Sequence, residues 1–401
     1  MIRLSIALFL VQAGFHGFTA SIPVALAHAG RPDSEIGAIV GVAAIVQIGA
    51  ALVGGVMIDR FGMVRLLVVG GLCYVVSAAL IFFGGLGADS TLALVAARVL
   101  QGAGGGLTVP AALAMAPSLV PVAQRGTAIA FVGSAHNLTL ILLPPLSLEV
   151  LRRFGMSGVA VMVGALVLVA LLVALVRPFV TRAAEESHLG TARRRFGFAW
   201  RSSWLAPLAI VVLFVLHWGV LVAYLPQRAE AAGADIGLFF AADGLGVLLA
   251  RIPAGWLSDR IAPVWPVVGG IVLTFGAVAL LFDTPTTPVL ILSGALTGVG
   301  AALIVQPLML SLTARSTDRD RGSVFSLFNA SFSISIALGT MGTAPLIGAL
   351  GFGTILAVAL VALAASAVVA LLDTELRRPA NVVDDVAEAV ELAGEANVIG
   401  P

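Results

Sequence analysis

Apolar stretches of twenty residues or more follow one another along almost the whole of this chain, with only short loops between them. A run of roughly 20 apolar residues is long enough to cross a bilayer as a helix. In hydrocarbon every backbone N–H and C=O must find its partner within the protein, and a helix provides that within one segment. The chain is 60% apolar and only 11% charged, with a mean hydropathy of +1.09. A soluble domain is nearer a quarter charged, so a soluble globular fold is excluded. The net charge of +1 is spread over short loops and offers no surface for nucleic acid.

Reading the runs against their punctuation gives twelve spans, with ends good to a few residues. The first six lie at about 4–28, 35–58, 64–86, 91–118, 127–150 and 156–177. The second six lie at about 204–228, 236–258, 264–283, 287–314, 323–347 and 351–372. The first run, Leu4 to Ala27, is too long for the apolar region of a secretory signal and has no convincing cleavage site, so it reads as the first span. The 45 glycines are spread through the spans, where small residues let helices approach closely. The single cysteine, Cys73, sits in an apolar run, so no intramolecular disulfide is expected.

All 22 basic residues are arginine. Most of them fall in the N-terminus, alternate loops and the C-terminal segment that share one side, from Arg3, Arg60 and Arg65 to Arg377 and Arg378. Only Arg31, Arg152, Arg153 and Arg228 fall on the other side, and Arg98 and Arg251 lie within spans. Positive loops stay on the cytoplasmic side, so both termini are expected there, in agreement with an even number of spans. The organisation expected is an N-terminal half at 1–177, a cytoplasmic linker at 178–203, a C-terminal half at 204–372 and an acidic tail at 373–401. The linker's Arg193, Arg194 and Arg195 suit the anionic inner leaflet. The tail allows a short amphipathic helix and is otherwise expected to be disordered.

The two halves carry the same signals. Gly55-Val56-Met57-Ile58-Asp59-Arg60 closes the second span and Gly255-Trp256-Leu257-Ser258-Asp259-Arg260 closes the eighth, 200 positions on. Gln124-Arg125-Gly126 precedes span five and Asp320-Arg321-Gly322 precedes span eleven, at an offset of 196. Glycine-rich stretches at 97–108 and 293–304 align at that same offset. Three markers in one order imply duplication of a six-span unit, and such repeats build transporters that rock one half against the other.

Twelve spans with a central linker, the loop pattern from Gly55 to Gly62, and Arg98-Val99-Leu100-Gln101-Gly102 in span four resemble the major facilitator superfamily. The resemblance implies an all-α membrane protein of twelve helices in two pseudo-symmetric six-helix bundles. It departs at Met63-Val64, where the family usually has basic residues, and at Ala262-Pro263 in the second copy. Span five reads Gly133-Ser134-Ala135-His136-Asn137 and lacks the family's antiporter signature.

A carboxylate is favoured where a helix N-terminus exposes unpaired N–H groups. The resemblance implies that Asp59 meets the start of span eleven near Gly322 and Ser323, and that Asp259 meets span five near Gly126 and Thr127. Contacts of that kind would latch one state; the alternative is that Asp59 and Arg60 simply end a helix. The candidate latch set is Asp59, Arg60, Arg65, Arg125, Arg251, Asp259, Arg260 and Arg321. A charge inside a span is costly and should face a cavity or a partner. That singles out Arg98, for proton coupling or substrate recognition or else for hydrogen bonds to backbone carbonyls, and Asp243, for a proton site or else as a permanent partner of an arginine. Histidine titrates near physiological pH, which adds His16 and His217 as coupling candidates, with a structural role open for each. Candidate cavity residues are Gln12, His16, Gln47, Gln101, His136, Asn137, His217, Tyr224, Gln306 and Asn329.

With no lysine there is no phosphate-binding loop, which argues against ATP-driven transport. No Cys/His cluster has metal spacing and no cofactor is expected. The expected function is a non-enzymatic, inner-membrane secondary transporter of a small organic solute, exporting it in exchange for protons, as a monomer. The alternatives are metabolite uptake or uniport and, from another class, an integral-membrane enzyme.

Overall fold

A computed structural model of the chain describes residues 1–121, 124–176, 200–258, 260–316 and 321–378. The helices are α1 (Ile2–His16), α2 (Ser21–His28), α3 (Asp33–Phe61), α4 (Met63–Gly84), α5 (Thr91–Met115) and α6 (Arg125–Val176). They continue as α7 (Leu205–Ala231), α8 (Ile236–Ser258), α9 (Val264–Ala279), α10 (Thr287–Ala314), α11 (Arg321–Ala337), α12 (Ala344–Leu350) and α13 (Phe352–Leu372). Among the described residues, ten stretches are long and apolar enough to cross a membrane. One of them, Phe131–Leu175, breaks at Gly155 (φ 66°) and makes two crossings, and the shorter apolar α9 adds another. The count of twelve expected from the sequence is consistent with these stretches. α1 with α2 forms the first crossing, and α11 with α12, joined by a π turn at Leu338–Gly342, forms the eleventh.

Glycine permits three of the sharp reversals. Gly62 alone separates α3 from α4 at φ 88°, a conformation costly for any side chain, which explains the last glycine of the loop pattern. Gly155 reverses α6, and Gly351 does the same before α13 at φ 81°, 196 positions later.

The duplication is visible in atomic contacts. A Cβ added at Gly102 on α5 would stand 2.3 Å from the Ala43 carbonyl oxygen on α3. At Gly298 on α10 it would stand 2.0 Å from the Asp243 carbonyl oxygen on α8. Gly104 approaches the Gly70 carbonyl at 2.9 Å, and Gly300 approaches that of Gly270 at 2.6 Å. These partners are related by the same offsets, 196 and 200, found in the sequence. Each half is one bundle built on the same close glycine crossings, and Asp243 occupies the place that Ala43 holds in the first half.

The two bundles touch at the end away from the arginine-rich loops. Tyr224 of α7 fills the space over Gly37 of α3, and Met341 and Thr340 of the π turn fill that over Gly41. Gly237 and Gly244 of α8 lie against Pro145 and Ile141 of α6. Gln227 donates to Asp33 at 3.4 Å, and His28 stands 3.8 Å from Glu230. Further along the same face of α3, one and two turns past Gly41, Ile45 is 47% exposed and Gly49 has nothing within 4 Å of its Cβ position. On α8, Leu248 is exposed and Gly255 meets only Gln306 of its own bundle. The bundles therefore part toward the arginine-rich end and leave a cleft between them.

The segment after α13 begins ordered. Asp373 accepts from the Glu375 and Leu376 backbone N–H groups and pairs with Arg315 at 2.9 and 3.1 Å, while Leu376 accepts from the Val264 N–H. The Arg315 carbonyl in turn accepts from the Trp204 indole at 3.2 Å. The expected linker and tail otherwise fall at 177–199 and 379–401, outside the described residues.

Candidate functional site

The polar residues of the first bundle converge on Gln12. α1 carries Gln12 and His16 four residues apart, on one face. Gln12 Oε1 accepts from the Thr108 hydroxyl at 3.0 Å and from the Tyr74 hydroxyl at 3.4 Å. Its amide nitrogen donates to His136 Nδ1 at 2.9 Å, which leaves the proton of a neutral His136 on Nε2. The His136 ring lies 5.1 Å from that of His16. His16 is buried, and neither of its ring nitrogens has a hydrogen-bond partner. An unmade bond of this kind costs about 1–3 kcal/mol, so His16 is an open polar position in an otherwise satisfied cluster.

Arg98 lies one layer away. Its guanidinium donates to the Val40 carbonyl on α3 and to Gln101 Oε1, and stands 6.0 Å from the Phe15 ring centre. Gln101 passes the link to Ser77 of α4 at 2.8 Å. Two neutral acceptors, one on α3 and one on α5 itself, thus hold this buried charge, including the backbone carbonyl of one of the two readings, while its Nε has no hydrogen-bond partner. Arg98, Gln101, Gly105 and Thr108 form a stripe at spacings of three and four along α5, so the two networks share one face.

In the second bundle Asp243 is buried near Thr297, whose hydroxyl donates to the Ser293 and Gly294 carbonyls. Among the described residues it makes no ion pair within 4.0 Å, with Arg98 or with Arg251. Arg251 is partly buried, and its Nη1 is enclosed without a hydrogen-bond partner. The Gln306 amide lies 3.3 Å from the Cβ position of Gly255, one turn beyond Arg251. His217 donates from Nδ1 to the Phe214 carbonyl at 2.5 Å and packs on the Phe214 ring, so it is engaged within α7.

The remaining candidates are dispersed. Gln47 places its amide 3.2 Å from the Cβ position of Gly105, beside the Gln12 cluster. Asn137 is half-buried next to His136, and Asn329 is exposed on α11. Tyr224 donates to the Thr340 carbonyl at 2.6 Å and belongs to the closed end. Arg60, Arg65 and Arg260 are exposed, with Arg260 over the Trp256 ring at 4.0 Å. The side chains of Asp59, Arg125 and Arg321, and all of Asp259, lie outside the described residues, so the latch pairs do too.

Tyr74, Ser77, Thr108 and Thr297 complete these networks and were not among the sequence candidates. Thr108 was within reach of the helical spacing from Arg98; Tyr74 and Ser77 come from another helix and carried no local signal.

A family model described as Major Facilitator Superfamily matches residues 4–235 and 212–392. A probable sulfoacetate transporter of Cupriavidus necator is 27% identical over 302 residues, covering 67% of this chain and 67% of its own length. A probable vesicular acetylcholine transporter of Danio rerio is 25% identical over 341 residues, 80% of this chain and 66% of that protein. Among solved structures, the xylose transporter of E. coli in an inward open conformation aligns with a TM-score of 0.70 at 14% identity, over 95% of this chain and 99% of its own.

Proposed function

This chain belongs to the Major Facilitator Superfamily, and from that premise we propose that it is a secondary active transporter that moves a small organic solute by alternating access. It sits in the inner membrane, with the arginine-rich end and both termini in the cytoplasm. The observation that carries the reading is the way α3 and α8 touch the opposite bundle as far as Gly41 and Gly244 and stand clear of it beyond. A cleft with one closed end and one open end, between two copies of one bundle, is a state that has a mirror counterpart. Here the solute reaches the cleft from the cytoplasm.

Rocking the bundles would break the contacts of Tyr224, Met341 and Ile141 and bring the arginine-rich ends together. There Asp59 and Asp259 would meet helix N-termini, each interaction contributing about 0.3–1 kcal/mol and up to about 2 when partly buried. A bias of this size tips a two-state equilibrium without trapping it, since about 1.4 kcal/mol is a tenfold change. Among the described residues Asp243 is the one carboxyl group well inside a span of the second bundle and has no cation within 4.0 Å, and it is assigned the coupling proton. Outward movement of solute against inward movement of protons is the direction proposed. The relatives, described as transporters of sulfoacetate and of acetylcholine, are consistent with small organic cargo of either charge.

The test is flux in proteoliposomes under an imposed pH gradient. Wild-type protein should accumulate solute in inverted vesicles, and Asp243→Asn should lose gradient-driven flux while keeping solute exchange at equal pH. Gradient-driven flux that survives in Asp243→Asn would remove Asp243 from the coupling role. Accumulation in right-side-out vesicles would replace export with uptake.

A further inference from the structure

The charges inside the bundles do not balance. Two guanidinium groups, Arg98 and Arg251, lie within spans against the single carboxyl group of Asp243, and among the described residues no carboxylate is within 4.0 Å of either arginine. Arg98 is held by neutral acceptors. Arg98 Nε is enclosed without a partner as well, but its other two nitrogens are held, whereas among the described residues Arg251 has no neutral acceptor on its enclosed Nη1 or elsewhere. A charge removed from water without a partner is strongly unfavourable, and within a membrane such a group marks a ligand or ion path.

The geometry of α8 says where Arg251 points. It follows Gly244 by seven residues, almost two helical turns, so it lies on the face that Gly244 turns toward Ile141 of α6. It sits past the level where the bundles separate, and therefore looks into the cleft. Gln306 borders the next turn of α8. In the opposite bundle His136 is five residues from Ile141 on the antiparallel α6. At about 1.5 Å and about 100° per residue, His136 comes near Arg251 in depth but is turned about 140° from the Ile141 face, toward Gln12 and His16 of its own bundle. Beside it stands His16, whose two ring nitrogens are both free.

We infer that the cleft binds a small organic anion, with its carboxylate or sulfonate on Arg251 and a further polar atom on Gln306. The fork of a guanidinium matches two oxygens of either group. Gln306 then adds a hydrogen bond without adding a second fixed charge. The assignment rests on the transport reading for its purpose, but the binding itself can be measured separately.

The test is thermal unfolding of the purified full chain in detergent with benzoate, succinate and isethionate, each compared with benzamide, succinamide or choline. At least one anion should raise the unfolding temperature where its uncharged or cationic counterpart does not. Arg251→Gln should weaken that anion about ten- to a hundredfold, the range expected for losing a charged hydrogen bond, and Arg251→Lys should recover part of the loss. Should Arg251→Gln not fold, Gln306→Leu is expected to weaken the same anion severalfold. The two carboxylates against isethionate separate carboxylate from sulfonate recognition. Stabilisation by choline or the amides alone, no response to any of the anions, or an anion response unchanged in a folded Arg251→Gln would overturn the proposal. Arg251-dependent binding with no flux of that anion in proteoliposomes would keep the site and reject the transporter reading. Flux of choline or an amide independent of Arg251 would do the reverse.

Discussion

Replacing Gly298 by alanine tests the packing on which both bundles depend. The added Cβ would stand 2.0 Å from the Asp243 carbonyl oxygen, 2.8 Å from its carbonyl carbon and 2.9 Å from the Val247 nitrogen. All three are backbone atoms of α8, so no side chain can rotate away. Contacts below 3.0 Å are essentially unknown for real Cβ atoms, so α10 and α8 must separate by at least 3.0 − 2.0 = 1.0 Å at this point. Overpacking of this kind costs about 1–3 kcal/mol. Part of that cost arises at the neighbouring crossings, which the separation loosens: Gly294 there approaches the Phe239 carbonyl and Gly246 that of Ala295. Thermal unfolding in detergent should show a fall of several degrees. Gly276→Ala on α9, with nothing within 4 Å of its Cβ position, is the matched control and should be neutral or slightly stabilising. Equal stability of the two variants would refute the close-packed crossing, and with it the placement of Asp243 against α10.

Three further outcomes follow from particular contacts. Tyr224→Phe removes the 2.6 Å hydrogen bond to the Thr340 carbonyl, a loss of about 0.5–1.5 kcal/mol. Both groups lie in the second bundle, so the loss should appear as a lower unfolding temperature in detergent. Arg315→Ala strands the buried carboxylate of Asp373 and should cost about 3–5 kcal/mol in unfolding free energy, whereas the double change with Asp373→Asn should cost much less. Gln12→Leu leaves Thr108, Tyr74 and His136 without their shared partner and should destabilise by about 1–3 kcal/mol, read by the same unfolding assay.

Much of the architecture was legible because hydrocarbon imposes a single length scale. The runs that predict twelve crossings are the ones that form, and the offsets of 196 and 200 return as paired glycine contacts. The site was less legible. Gln12, His16 and His136 were named from their depth, but nothing in the sequence joined α1 to α6 or supplied Tyr74 from α4. Tyr224 was grouped with the cavity candidates, and nothing local marked it for the contact it makes over Gly37 of the other bundle. Arg251 was grouped with the loop charges because it lies two turns from Asp259. Its enclosed, unpaired nitrogen is a property of packing and has no sequence signature. Asp373 looked like the start of a disordered acidic tail, and only the fold brings Arg315 to it.

The alternating-access account rests on the closed end having to open. Ser34 on α3 and Gly348 on α12 face each other there, with 3.6 Å between the Ser34 Cβ and the Cβ position of Gly348. That lies within the roughly 3.5–4.5 Å that a disulfide requires. With Cys73 replaced by alanine, the pair Ser34→Cys and Gly348→Cys should cross-link on mild oxidation and hold the bundles together at this end. The decisive measurement is flux in proteoliposomes, before and after reduction, of a solute that the unlinked protein carries. Arrest on oxidation and recovery on reduction, with both single-cysteine variants unaffected, is the predicted result. Undiminished flux through fully cross-linked protein would contradict the account.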